Sequence, residues 1–165
     1  MVASDGGVFT FGGATFHGSL GSTRLNKPIV GMATTADGQG YYLVASDGGV
    51  FSFGGAPFYG SLGGSLPTEP IIGIESPNAG GYVLATSRGR IFSFSSGPGL
   101  ELYHGSIDGP LGGPIVGITA TMAGAGGYSL VGSDGGVFTF GDTTFYGSEG
   151  GRPLKKAVVG IAGTA

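Results

Sequence analysis

Gly40-Tyr41-Tyr42-Leu43-Val44-Ala45-Ser46-Asp47-Gly48-Gly49-Val50-Phe51-Ser52-Phe53-Gly54 is the stretch whose reading settles the fold class. Two β-prone runs flank Asp47-Gly48-Gly49. Asp-Gly between such runs is a strong hairpin signal, because the turn needs positive φ and Gly supplies it cheaply. Side chains alternate along a strand, so Phe51 and Phe53 share one sheet face. Downstream, Pro57-Phe58-Tyr59 predicts a further short strand. A Gly/Pro-rich connection, Leu62 to Pro70, then leads to a strand at Ile71 to Ile74.

The same order of markers returns along the whole chain. Ser4-Asp5-Gly6-Gly7 recurs as Ser46-Asp47-Gly48-Gly49, in degraded form as Ser87-Arg88-Gly89-Arg90, and as Ser133-Asp134-Gly135-Gly136. The serines are 42, 41 and 46 residues apart (46 − 4, 87 − 46, 133 − 87). Phe-x-Phe follows each turn, at Phe9/Phe11, Phe51/Phe53, Phe92/Phe94 and Phe138/Phe140. An aromatic pair with Gly-Ser comes next: Phe16-His17, Phe58-Tyr59, Tyr103-His104 and Phe145-Tyr146. Last is an apolar run, at Ile29-Val30-Gly31, Ile71-Ile72-Gly73, Ile115-Val116-Gly117 and Val158-Val159-Gly160. Repeat units at about 1–39, 40–79, 80–125 and 126–165 therefore fill one domain. In the third unit Arg88 and Arg90 replace turn residues, and Ser95 to Leu102 contains an insertion.

No stretch sustains helical periodicity, so the expected class is all-β. Four short strands per unit is the size of one β-propeller blade. The small Ile-Val-Gly strand is expected innermost, Tyr-x-Leu second, Phe-x-Phe third and Phe-Tyr-Gly-Ser outermost. The two ends are complementary in phase: Val158 to Ala162 is an inner strand without its second strand, and Val2-Ala3-Ser4 is the tail of one. This predicts a four-bladed ring closed by pairing the terminal strands, with a seam between Ala3 and Ala162. The same pairing between two chains gives an eight-bladed dimer instead, or a filament.

Composition narrows the function. The chain has 165 residues, with 39 Gly and 9 Pro, a level that suggests disorder unless the glycines are periodic, as here. Formal net charge is -3 and Lys155-Lys156 is the one basic run, so no basic stripe addresses nucleic acid. There is no Cys, hence no disulfide or thiolate site, and no apolar run long enough to span a membrane. The first residues lack the charged and apolar regions of a signal peptide, and the chain starts in mid-repeat, as if trimmed or engineered.

No nucleotide-binding glycine signature and no G-x-S-x-G elbow is present. Glu69, Glu75, Glu101 and Glu149 lie at different repeat phases and make no recognisable acid pair. Asp5, Asp47 and Asp134 could ligate calcium, but an Asp before Gly-Gly is what the hairpin itself needs. His17 and His104 alternate with Tyr59 and Tyr146 at one repeat position, which fits a half-exposed aromatic platform better than a general base or a metal ligand. These four are the candidate ligand-binding residues. No catalytic residue, metal or cofactor is expected.

From Gly40 to Gly54, and on through Phe58-Tyr59-Gly60-Ser61, the chain resembles a repeat found in secreted proteins of actinobacteria and related bacteria. The resemblance covers essentially the whole chain. It departs at the second aromatic after Gly, usually Trp in that family, since this chain has no Trp. The resemblance implies an extracellular or cell-wall-associated, propeller-like accessory domain without carried-over catalytic residues. The function expected is thus a non-catalytic binding module for a glycan or cell-wall polymer, acting as monomer or homodimer. The alternative is a structural or self-assembling scaffold.

Overall fold

The computed structural model describes residues 1–63, 68–77, 80–97, 101–121 and 126–163. Parts of the Leu62–Pro70 connection (64–67) and of the Ser95–Leu102 insertion (98–100) lie outside the described residues. All regular structure among the described residues is β. Nine strands form among the described residues: β1 (Ile29–Thr34), β2 (Gly40–Ala45), β3 (Val50–Gly54), β4 (Ile71–Glu75), β5 (Gly81–Thr86), β6 (Ile91–Ser95), β7 (Ile115–Thr121), β8 (Gly127–Gly132) and β9 (Val137–Gly141). They make three antiparallel sheets, ordered β1-β2-β3, β4-β5-β6 and β7-β8-β9. Each sheet takes its first strand from the end of one repeat unit and the other two from the next.

The hairpin turns follow from their sequence. Gly48 has φ 82° and its N–H donates to the Ala45 carbonyl at 2.9 Å, while the Gly49 N–H donates to Asp47 Oδ1 at 3.1 Å. A β-carbon on Gly48 would lie 2.6 Å from Leu62 Cβ, so both backbone and packing require glycine there. The short Asp side chain closes the turn on its own backbone, a bond repeated at Asp5 with Gly7 and at Asp134 with Gly136.

In the third unit, where Arg88 stands at the Asp position, the buried Thr86 hydroxyl accepts the N–H groups of Arg88 (3.3 Å) and Arg90 (3.1 Å). Gly89 keeps positive φ, at 77°. The turn has changed its acceptor and kept its shape.

Register matches the alternation read from the sequence. Leu43 stands opposite Phe51 and Tyr41 opposite Phe53. Tyr41, Leu43 and Ala45 pack with Ile29 toward the N-terminal hairpin, which a Val2–Val8 bridge defines. Tyr42 and Val44, on the other face, pack against Ile71, Ile74, Tyr82 and Leu84 of the second sheet. Val83, Ala85 and Ile91 in turn meet Ile115, Ile118, Tyr128 and Leu130 of the third. Every middle strand is buried along its whole length, so the core is a succession of face-to-face sheet contacts.

The first strands of the sheets run side by side at closest approach, as the inner-strand assignment expects. A β-carbon on Gly31 would sit 3.2 Å from Gly73 Cα, and one on Gly117 would sit 3.3 Å from Gly160 Cα. A side chain at either position would push the facing backbone back by a few tenths of an ångström, so glycine suits this approach.

Two expectations are corrected. The Phe-Tyr-Gly-Ser segments are not fourth strands of their sheets; each sheet has three. Their backbone groups are spent elsewhere: Tyr59 N–H and the Gly60 carbonyl both bond the Tyr82 hydroxyl of the following sheet. Nor does the ring close within the chain. Among the described residues, no backbone bond joins Met1–Ala3 to Val158–Ala162; Met1 pairs with Phe9 alone, and Val159 is 91 % exposed.

Candidate functional site

The aromatic-pair segments are the part of each unit least absorbed into sheet hydrogen bonding, and the structure splits the two rings of each pair. The second ring turns into the junction with the next sheet. His17 meets Tyr41 with centroids 5.6 Å apart in an edge-on arrangement, Tyr59 meets Tyr82 at 5.8 Å, and His104 meets Tyr128 at 5.9 Å. The same tyrosines fix the segment's backbone. Tyr41 donates to the Gly18 carbonyl at 2.5 Å and accepts from His17 N–H at 3.1 Å; Tyr128 donates to Gly105 at 2.6 Å and accepts from His104 N–H at 3.0 Å. Phe53, Phe94 and Phe140 cover Gly18, Gly60 and Gly105.

The first ring of each pair points outward. Phe16, Phe58, Tyr103 and Phe145 are each between 49 and 60 % exposed, at one repeat position in all four units. Of the four residues singled out from sequence, His17, Tyr59 and His104 are half-buried in separate junctions, and Tyr146 alone is open, at 95 % exposed. Among the described residues, His17, Tyr59 and His104 each meet a different tyrosine, and none of the four shares a ring contact with another. The half-exposed position expected from the sequence matches His17, Tyr59 and His104, whereas Tyr146 is fully open, and in the other three units the neighbouring Phe16, Phe58 and Tyr103 are the more exposed rings. The available signal was the His/Tyr interchange, which suits a ring edge packed on a tyrosine.

Two open concavities take residues from these aromatic pairs, Tyr103 in one and His17 in the other. One, of about 450 Å³, is lined by Arg88, Arg90, Tyr103, Ser106, Asp108 and Glu69. It gathers the two arginines by which the third unit departs from the repeat and sets them beside an exposed ring. Glu101, the third departure, is exposed and is not part of this lining. The other, of about 830 Å³, lies between the N-terminal hairpin and β1, with Phe9, Phe11, His17, Tyr41 and Glu75 in its wall. Burial pushes the Glu75 carboxyl up to about 7. Burial is also the main cause that raises the Tyr42 phenol to about 12.

Asp5, Asp47 and Asp134 are held apart, each closing its own turn. Among the described residues, no group of three or more His, Asp or Glu side chains could hold a metal ion. No helix among them is long and apolar enough to cross a membrane. Neither a protein-family model nor a curated protein sequence matches the chain.

Proposed function

We propose that the chain is a non-catalytic binding module for an extracellular glycan or cell-wall polymer, built as a propeller-like array of sheets. One observation supports this reading: four equivalent aromatic rings, Phe16, Phe58, Tyr103 and Phe145, stay exposed, while the neighbours of the first three, His17, Tyr59 and His104, are half-buried in packing. What supports the reading is the repetition: a half-exposed ring at the same phase of every unit offers a series of like apolar faces. Flat apolar faces suit the C–H faces of sugar rings, and a polymer can engage several weak sites at once. His17, Tyr59, His104 and Tyr146 then serve as edges and supports of these platforms. In the third unit Arg88 and Arg90 add cationic donors beside Tyr103, which favours a polymer with acidic substituents.

The test is retention on insoluble polysaccharides and purified bacterial cell wall, with and without Phe58→Ala and Tyr103→Ala. Both rings are exposed, so the variants should keep the strand signal of the wild type. The double variant is expected to lose affinity more than twofold, because avidity multiplies weak sites. Wild-type protein that is retained on none of these polymers would sink the reading and leave the scaffold alternative.

A further inference from the structure

We propose that the cleft of the third unit is a selective site for a sugar acid, a pyranose that carries a carboxylate beside free hydroxyls, and that the chain has one such site. The inference rests on the reading of the aromatic row as a sugar-binding surface, and it names what one member of that row selects.

The third unit puts charge of a new sign at its turn. Arg88 stands where the other units carry Asp5, Asp47 and Asp134, and Arg90 where they carry Gly7, Gly49 and Gly136. Neither side chain is needed for the turn, whose backbone amides bond the Thr86 hydroxyl. Both arginines are exposed, and among the described residues neither forms an ion pair. Two guanidinium groups that line one cleft, with no carboxylate of the chain paired to either, present the planar donors that a ligand carboxylate accepts.

Pairing of β4 with β5 carries Glu69 into the same cleft. Ile71 stands opposite Thr86, and the Ser87 N–H donates to the Pro70 carbonyl at 2.9 Å, which sets the preceding residue beside the turn. Glu69 is itself a departure, since the other units carry Lys27, Gly113 and Lys156 at its repeat position. Its Oε2 is buried and accepts no hydrogen bond among the described residues. A carboxylate oxygen in that state is destabilised until a donor reaches it, and the terminal torsion of Glu is soft enough to turn it toward one. Asp108, exposed at the same cleft, is a second acceptor. Hydroxyl groups are the donors that such acceptors bind.

The ring at this cleft is oriented as well. The Tyr103 hydroxyl donates to Ser106 Oγ at 3.3 Å, and Ser106 Oγ accepts the Ile91 N–H at 3.0 Å. Phe16, Phe58 and Phe145 have no hydroxyl for such a bond. The cleft, of about 450 Å³, falls within the roughly 300–1,000 Å³ of small-ligand sites. Guanidinium groups for a carboxylate, carboxylates for hydroxyls and a fixed apolar face for a ring match three features that a sugar acid combines. No other unit holds this set, so the acidic site is single while the aromatic row is repeated.

Titration of the isotope-labelled chain with sodium glucuronate, glucose and sodium acetate, followed by amide chemical shifts, tests it. Glucuronate is expected to move the amides of residues 88–91 and 103–108 at one site per chain. It should bind about tenfold tighter than glucose or acetate, the effect of one charge-assisted hydrogen bond or its equivalent. Arg90→Ala should weaken glucuronate by about the same factor. Glu69→Ala should weaken glucuronate and not acetate, which has no hydroxyl to offer. Neither side chain is part of the buried core, and circular dichroism should show both variants folded. Acetate that binds as tightly as glucuronate, glucosamine that binds tighter, shifts spread over all four units, or variants that bind as wild type does would each overturn the proposal. Retention on a neutral polysaccharide without a glucuronate response overturns it and leaves the binding-module reading intact. A localised glucuronate response without retention on any polymer upholds the cleft and sinks that wider reading.

Discussion

The Tyr82 hydroxyl donates to the Gly60 carbonyl at 2.5 Å, bridging the second sheet to the outer segment of the preceding unit. It also accepts the Tyr59 N–H at 3.2 Å, and the ring stacks obliquely on Phe94 at 5.7 Å and on Tyr42 at 4.7 Å. One buried side chain thus ties together the repeat's turn glycine, its aromatic pair and two sheet faces.

Tyr82→Phe is expected to cost about 1–3 kcal/mol of unfolding free energy, because it leaves a carbonyl and an amide without their partner in a part-buried place. The ring itself stays, so packing changes little. Tyr146→Phe should cost close to nothing, since that ring is in water. Urea midpoints of the two variants decide this; equal midpoints would show that the phenol bond contributes nothing.

Glycine at the same junction gives an independent measure. Gly60→Ala puts a β-carbon 2.8 Å from Phe94 in a backbone region at φ 127°. Strain and clash together should cost about 2–4 kcal/mol. Gly147→Ala carries similar backbone strain with open space around it, so about 1–2 kcal/mol is expected. Thermal melts of dilute protein measure the difference, which reports how firmly Phe94 closes over the segment.

How much of this was legible in the sequence depends on where the period-two rule applies. It applies within Tyr41 to Phe53, and there the turn and the facing of Phe51 and Phe53 both follow from residue pattern. It fails at Phe58-Tyr59-Gly60, because that segment bonds to a side chain on the next sheet and has no ladder to set its alternation. For that reason the short strand expected at Pro57-Phe58-Tyr59 does not form, and Phe58 is the more exposed ring of the pair.

Thr86 shows a compensation that pattern reading missed. Thr86→Ala removes the acceptor of two turn amides, and a loss of about 1 kcal/mol is expected. Arg88→Asp restores the side-chain acceptor used in the other units, so it should recover most of that loss in the Thr86→Ala background. In the wild-type background, where Thr86 already serves, it should change stability by less. A double-mutant cycle by urea unfolding checks the coupling; strictly additive effects would mean that the two acceptors do not substitute for one another.

Glu75 supplies a pH dependence with a definite sign. Burial raises its carboxyl from 4.5 to about 7 in the folded chain, so between these values the folded state holds a proton that the unfolded chain releases. Stability is therefore greatest below about pH 4.5, as far as this group is concerned, and falls as pH rises to about 7. Above that the carboxylate is ionised in both states and the loss is complete, at most about 3 kcal/mol. Glu75→Gln keeps the side chain's size and removes the titration. It should match wild type near pH 4, exceed it by about 1–3 kcal/mol at pH 8, and flatten the dependence between. Urea unfolding at five pH values across this range measures it. A glutamine variant that parallels wild type at every pH would show that Glu75 is solvated in the folded chain and that the slope arises elsewhere.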